Sequence, residues 1–419
     1  MKHSESNKAP DIMVTQPQKL YSAEFISLIF ILFFGFCNMS VFYSFYSYLE
    51  RIGISAEWRG IIVGLEPMTA FFLRPAVGIF IHAGNAMVFL RFSMISLALI
   101  LCTYTVTVSL PGLILLRICH GAAFVTLVSA GVALLVHFIP REKSTQGFGI
   151  MSLSSLIPYA VAPMLTEIAL RYFRSEAVIY ALVSILAIPG IVLISAVSPR
   201  IRNTLDKMDP GDLQRPAIGQ LWQNIRRVPV ILILSMNLLV FFTYATVFYF
   251  IKSFLVYQGM GQDVGIFFAV SMGVMIVIRT GFGRVMDSGN KVRTLGWMAL
   301  FLAAVYVLPP WVDSLPRLFL AAGCYGMAMG GILPLLNAIM FEFSTKQFQG
   351  INSNLMLFMM DAGFFLCPVI MGAVLAVGGS FSLLFLSCSA ITLILIALLV
   401  GLSRWQSVHA NTPDAGGGV

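Results

Sequence analysis

The sequence predicts an all-α integral membrane protein, with about twelve transmembrane helices in two six-helix bundles related by a pseudo-two-fold axis. Three observations carry this. Hydrophobic residues make up 58% of the 419 residues and charged residues only 11%, against about a quarter charged in soluble domains, and mean hydropathy is +0.90. Apolar runs of about 20 residues, each long enough to cross about 30 Å of hydrocarbon as a helix, recur from Tyr21 to Arg404. Finally, the frame R-x3-G-x3-[H/D]-x-G-N occurs twice, at Arg74–Asn85 and at Arg279–Asn290, 205 residues apart. Barrel strands would instead be segments of about ten residues alternating in polarity.

Taken in order, helix 1 is expected over 21–49, helix 2 over 57–81, helix 3 over 86–108, helix 4 over 110–137, helix 5 over 145–170 and helix 6 over 176–197. A polar loop, Ser198 to Arg227, holds Asp206, Lys207, Asp209, Pro210, Gly211, Asp212 and Pro216. Helix 7 then covers 229–257, helix 8 263–286, helix 9 292–311, helix 10 314–341, helix 11 347–375 and helix 12 381–402. The expected organisation is a leader (1–20), a first bundle (21–197), an inter-bundle loop (198–228), a second bundle (229–402) and a tail (403–419). Lys and Arg gather in alternate loops: Arg91, Arg141, Lys143, Arg200, Arg226, Arg227, Lys291 and Arg293 against Arg51, Arg59, Arg171, Arg174 and Arg317. The positive-inside rule therefore places both termini and the middle loop in the cytoplasm, as expected for a multi-pass protein of a plasma (inner) membrane. The polar start, Met1 to Lys19, has no apolar core leading to a cleavage site and reads as a cytoplasmic leader.

The repeat extends past its opening frame. Val41-Phe42-Tyr43 corresponds to Val247-Phe248-Tyr249, Leu110-Pro111 to Leu315-Pro316, Cys119-x-Gly121 to Cys324-x-Gly326 and Pro163 to Pro368. The last three of these keep the 205-residue offset. Two parallel halves are what alternating access by rocking requires, with a binding site between them near the midplane.

These residues resemble the major facilitator superfamily from Tyr21 to Arg404. Gly78 to Asn85 is similar to the family's signature after helix 2, and the second copy, Gly283-Arg284-Val285-Met286-Asp287, keeps the glycine, arginine and acid. Arg117-Ile118-Cys119-His120-Gly121 resembles the R-x-x-x-G element of proton-coupled members. Ile157-Pro158-Tyr159-Ala160-Val161-Ala162-Pro163 stands where drug–proton antiporters carry a glycine- and proline-rich motif, but it lacks the glycines. The resemblance implies the major facilitator fold and a conformational clamp at these loops. Because His82 replaces the first-half aspartate and Asn85 the usual basic residue, the clamp is expected to rest on the Asp287 side.

An ionisable group inside the bilayer costs about 2.5–3.5 kcal/mol unless it is paired or wetted, so each one is a candidate site. Asp361, mid-way along helix 11, lies on a row with Asn354, Phe358 and Phe365 and reads either as a cavity-facing proton or substrate site or as a carboxylate bonded to a neighbouring helix. Glu66 on helix 2 lies near the depth of Asn38 on helix 1, with Arg117 and His120 of helix 4 somewhat further out. An Arg117–Glu66 pair, direct or through Asn38, would serve either proton coupling or structure. His120 reads as a titrating or a packing residue. Glu167 and Lys252, near the outer ends of helices 5 and 7, either snorkel to water or line a vestibule. Arg74, Gly78, Arg279, Gly283, Arg284 and Asp287 are assigned to gating, the arginines bonding helix ends and carboxylates across the seam, Asp287 among them. Glu342, at a helix end, is given no special role. The aromatic residues Phe42, Tyr43, Phe45, Tyr46 and Tyr48 would clamp a substrate or form an interfacial belt.

The expected function is secondary active transport of a small or amphipathic solute, as proton-coupled efflux. The alternatives are an uptake symporter or facilitator for a small organic anion held by Arg117, and a non-transporting receptor. No G-x-x-x-x-G-K-[ST] loop occurs, so the energy source is expected to be an ion gradient, with a proton gradient the candidate and no cofactor. No nucleophile–base or metal-ligand cluster marks an enzyme. The six cysteines are scattered through apolar runs and read as packing residues. The net charge of +8 is accounted for by loop topology rather than nucleic-acid binding. The expected partners are a small molecule and the lipid bilayer, with the protein a monomer.

Overall fold

The structure, a computed structural model, describes residues 20–173, 175–208, 217–260 and 264–410. The described residues are helical almost throughout. Helix 1 starts at Ala23, where the Ser22 hydroxyl accepts a bond from the Phe25 N–H, and runs Ala23–Ser40, then a 3-10 turn Val41–Ser44, then Phe45–Arg51. Helix 2 is Ala56–Phe80, helix 3 Ala83–Thr103, helix 4 Leu110–Leu135 and helix 5 Ser144–Phe173. Helix 6 comes in two pieces, Glu176–Ser184 and Ala187–Leu205. A short helix, Ile218–Ile225, leads into helix 7, Val228–Tyr257. Helix 8 is Val264–Gly281 with a final piece Gly283–Ser288, helix 9 Lys291–Val305, helix 10 Leu315–Phe343, helix 11 Lys346–Ala376 and helix 12 Phe381–Ala410.

Several bounds depart from the sequence pattern for identifiable reasons. Helix 6 continues eight residues beyond Val197 because Val197, Ile201 and Leu205 form a buried stripe at helical spacing. It carries the chain into what reads as loop. Helix 9 stops at Val305, and Pro309 and Pro310 open a 3-10 turn instead, since proline can supply no amide donor. Helix 12 runs on to Ala410, with the Trp405 ring 6.0 Å from that of Phe343.

Each half has its own core. In the second half Ile233, Leu295, Leu335 and Phe385 are fully buried together, joined by Leu156 of helix 5. The first half has one core around Leu28, Leu90, Leu127 and Ile194, near the face where helix 1 begins and helix 12 ends, hereafter the terminal face. Its other core, near the opposite face, gathers Phe45, Leu101, Leu113 and Tyr180. The helix 1 aromatics belong here. Phe42 stacks on Tyr180 with centroids 4.3 Å apart, and Phe45 and Tyr48 are buried beside Tyr104. Phe42, Phe45 and Tyr48 form neither an exposed clamp nor an interfacial belt, because ring–ring packing inside the half consumes their faces. The Tyr43 and Tyr46 side chains lie outside the described residues.

Duplication is visible in the backbone. A Cβ on Gly121 would stand 2.6 Å from the Glu66 carbonyl oxygen, and one on Gly326 would stand 2.5 Å from that of Ser271. Helix 4 crosses helix 2, and helix 10 crosses helix 8, at matched glycines where only a hydrogen fits.

Candidate functional site

The two halves meet along helices 2, 4 and 5 of the first and 8, 10 and 11 of the second. At the centre of the seam, Arg74 of helix 2 forms an ion pair with Asp361 of helix 11 through its Nε. The arginine is 2% exposed and the carboxylate 15%. Phe71, one turn from Arg74, stacks on both Phe358 and Phe365, which flank Asp361, at 5.2 and 5.3 Å. The rings cover the pair and lower the dielectric around it. Thus Arg74 finds Asp361, not Asp287, and Asp361 is held by a helix of the other half. Asn354, a heptad below, turns its amide to the Gly350 carbonyl at 3.0 Å, and its β-carbon packs against Gly78, where an added Cβ would come within 3.1 Å.

A second ionic group lies within the first half. Arg117 Nη2 is 3.7 Å from Glu66 Oε2, while Arg117 Nε and Nη2 donate to the carbonyls of Ile62 and Val63 at 3.3 and 3.1 Å. Its guanidinium carbon stands 5.1 Å from the Phe42 ring centroid and 4.8 Å from that of Phe45. Carbonyls, rings and a carboxylate engage Nε and Nη2 of Arg117, while its buried Nη1 has no partner among the described residues. Asn38 does not bridge this pair. Its amide donates to Leu97 O at 3.3 Å, so its Oδ1 accepts from His120 Nε2 at 2.8 Å. His120 is fully buried, and its Nδ1 has no partner among the described residues.

Two tyrosines that sequence reasoning passed over connect these groups. Tyr159 of helix 5 is within electrostatic reach of Glu66, Arg117 and Tyr244 of helix 7. Tyr244 reaches Arg279 in turn, and Glu66 senses both Asp361 and Arg74. Ionisable and hydroxyl side chains from helices 2, 4, 5, 7, 8 and 11 are thus electrostatically linked across the middle of the protein. Tyr159 lay in the proline-bearing segment already noted on helix 5. Tyr244 carried no signal beyond a hydroxyl in an apolar run.

At the terminal face the seam is shut. The Asp287 carboxylate accepts the backbone N–H groups of Thr145 and Gln146, both at 2.9 Å, and so caps the start of helix 5 from the other half. Gly283 sits under the same turn, where a Cβ would meet Gln146 Cα at 2.9 Å. Arg141 donates to Ser344 O at 3.1 Å, and Ser144 to Glu342 at 3.3 Å. Glu342 also pairs with Lys291 at 2.6 Å, so this helix-end acid joins the seam after all. The first-half loop closes on itself instead. The Asn85 amide accepts from the His82 N–H at 2.9 Å and donates to Phe80 O at 2.9 Å.

Other expected site residues fall elsewhere. Arg279 is 4% exposed and donates Nε to Gly330 O of its own half at 3.4 Å, forming no ion pair among the described residues. It does not bond a carboxylate across the seam, because the residue equivalent to Asp361 in the first half is Leu156. Arg284 is exposed on the terminal face, and Lys252 is exposed near the far end of helix 7, away from these linked groups. The Glu167 side chain lies outside the described residues.

The family profile described as Major Facilitator Superfamily matches residues 28–308. The chain belongs to the Major Facilitator Superfamily. It is a multi-pass membrane transporter, of a family that transports rather than performs enzymatic chemistry. Comparison with curated proteins gives no match. Among solved structures, the human organic anion transporter MFSD10 (TETRAN) is similar at TM-score 0.69 and 17% identity, covering 90% of this chain and 99% of that one. A bacterial homologue of the iron transporter ferroportin in its outward-facing state gives 0.70 and 14%, over 91% and 100%. FucP in its outward conformation gives 0.65 and 11%, over 92% and 99%. At these identities the likeness shows the fold.

Proposed function

We propose that this transporter moves a small amphipathic solute by alternating access, driven by protons, with export as the direction. The observation that carries the reading is the Arg74–Asp361 pair, which ties the halves together at mid-membrane. A carboxylate that takes up a proton loses its hold on the arginine, and the seam is then free to rock. Glu66, within reach of both partners, is the second acid that senses this change. The terminal face is assigned to the cytoplasm of a plasma (inner) membrane by the loop charges. The state described here is then closed inward, as in two similar structures whose names state an outward conformation. Protons entering from outside would meet Asp361 at mid-membrane, release the latch and open the cytoplasmic side, and cargo would leave on the return. The protein works as a monomer of two bundles, 21–197 and 229–402, joined by the 198–228 segment.

The test needs no known cargo. Spin labels at Lys143 and Arg293, both exposed near the terminal face, report its separation in liposomes. The wild type is expected to lengthen as pH falls, and Asp361→Asn to be long already at neutral pH. A separation independent of pH in the wild type would remove protons from the scheme.

The organic-anion reading also keeps a specific footing. Arg117 keeps a buried Nη1 without a partner, and Arg279 is a buried cation that forms no ion pair among the described residues.

A further inference from the structure

Helix 2 holds Asp361 from the front through Arg74, and helix 7 holds the same stretch of helix 11 from behind. At about 100° per residue, Met356, Gly363 and Cys367 lie about 140°, 200° and 240° around helix 11 from Asp361, and each of them meets helix 7. The Asn237 amide donates from Nδ2 to the Met356 carbonyl at 2.6 Å. A Cβ on Gly363 would stand 2.8 Å from the Phe242 backbone nitrogen and 2.9 Å from the Phe241 carbonyl carbon, so the two helices touch there. The Thr246 hydroxyl lies 3.3 Å from the Cys367 sulfur. From the Asn237 bond to the Gly363 crossing is about 10 Å of helix, and Asp361 stands within it.

Of these contacts the Asn237 bond is the directional one. Packing at Gly363 tolerates a turn of one helix against the other. The Thr246 hydroxyl already donates to Phe242 O at 3.0 Å, and sulfur is a weak partner. An amide bond to a carbonyl, by contrast, weakens steeply when it is bent. A slip of one residue would turn Asp361 by about 100° away from Arg74. The sense of the amide is forced as well, because reversing it would set its oxygen against the Met356 oxygen.

The fold does not require this amide. Asn237 is 1% exposed and lies on a helix whose neighbours form an apolar core, and its Oδ1 has no partner among the described residues, an arrangement that costs stability. In the register that matches Val41 to Val247, the first half carries Ile31 in its place, and Leu156 stands in the place of Asp361. Helix 1 packs on helix 5 all the same. The amide and the acid thus occur together in one half, and neither has a polar counterpart in the other.

We infer that Asn237 is a positioning residue for Asp361: its bond to the Met356 carbonyl fixes the rotation and height of helix 11 so that the carboxylate meets Arg74. This rests on the ion pair used in the transport reading above and extends it to helix 7, which rocks together with helix 11 when the pair opens.

The experiment asks whether the strength of the ion pair depends on Asn237, read as thermal midpoints of the purified full-length chain in detergent at one pH. Arg74→Met lowers the midpoint of the wild type by stripping Asp361 of its partner. In an Asn237→Leu background, which keeps the bulk and removes the donor, the same substitution should lower it by about half as much or less, since residues acting through one contact are not additive. Asn237→Gln, with its donor on a longer stem, should restore part of the drop. Thr243→Val, which removes a buried helix 7 hydroxyl bonded to Val240 O of its own helix at 2.9 Å, should leave the drop whole. A side chain that served helix packing alone would lower every midpoint and leave the Arg74→Met drop unchanged, and that result overturns the proposal. Where Asn237→Leu does not fold, Asn237→Ser, too short to reach Met356, decides by the same comparison. Neither a gradient nor cargo enters, so a seam indifferent to pH would remove the proton scheme and leave Asn237 in its role. An unchanged drop would remove Asn237 and leave the latch, whereas no drop in the wild type would refute the pair and this proposal with it.

Discussion

Replacing Asp287 by alanine removes the one carboxylate that, among the described residues, caps the backbone of helix 5 from across the seam. It accepts two backbone N–H groups at 2.9 Å, from Thr145 and Gln146, at the positive end of that helix. Charge-assisted bonds contribute about 1.5–3 kcal/mol each on balance, and in the opened state the same N–H groups would be met by water. The net loss to the closed state is therefore about 3 kcal/mol for the two together, which multiplies the opened population by about 150. Asp287→Asn keeps an acceptor without charge, and about half the effect is expected, near a tenfold change. The assay places a cysteine at Ala133, which is 2% exposed and backs onto Gly350 of helix 11, and follows its reaction with a water-soluble maleimide in liposomes. With the six native cysteines first replaced by alanine, labelling proceeds only through the opened seam, so its rate should follow the predicted order: Asp287→Ala fastest, Asp287→Asn intermediate, the unchanged Asp287 background slowest. A rate that moves less than threefold in Asp287→Ala would mean that the seam is held elsewhere and that this cap is incidental.

Removing one partner of the Arg74–Asp361 pair leaves a buried charge without compensation, at a cost of about 3–5 kcal/mol, whereas removing both with apolar replacements costs far less. Arg74→Met and Asp361→Leu should each lower the thermal midpoint in detergent, and the double variant should recover most of the loss; strictly additive losses would refute the pairing. The matched glycines give an independent check on the duplicated packing. Gly121→Ala and Gly326→Ala, each forced against a backbone oxygen, should destabilise by about 1–3 kcal/mol. Gly323→Ala, with open space around its Cβ position, should be neutral or stabilising, and similar behaviour of all three would contradict the crossing geometry.

What the sequence made legible is what depends on local pattern or on repetition. Span lengths follow from hydropathy, and the matched glycines at helix crossings follow from the 205-residue offset. The Arg117–Glu66 pair could be anticipated because two ions at similar depth on neighbouring helices of one half have few other partners. Arg74 with Asp361 is a different case. The residues are 287 positions apart and belong to different halves, so their meeting depends on how the bundles are rocked together, which no periodicity encodes. The same holds for Glu342, whose cross-seam bond exists only because the terminal face is shut. The helix 1 aromatics illustrate another gap. An aromatic run near a membrane surface has the same pattern whether it faces lipid, cargo or its own bundle, and only the partners Tyr104 and Tyr180 decide.

The two signature loops also bear on how evenly the conformers are balanced. A rocking carrier must populate both of its states, so the closed one can lead by only a few kcal/mol. Had both loops crossed the seam as Asp287 does, the terminal face would be favoured by about 6 kcal/mol on the figures above, and the opened state would fall to about one part in 10⁴ or less. Here only the second loop crosses. The first, with His82 and Asn85, satisfies its own carbonyl and amide, and among the described residues it sets no carboxylate across the seam. What supplements Asp287 at mid-membrane is Arg74–Asp361, a contact that a single proton can release. Restoring an aspartate at His82 should therefore trap the closed state, provided its carboxylate reaches the N–H groups at the start of helix 11, the counterpart of the start of helix 5. The maleimide rate at Ala133→Cys would then drop below that of the wild-type background, and an unchanged or faster rate would show that the asymmetry of the two loops is without consequence.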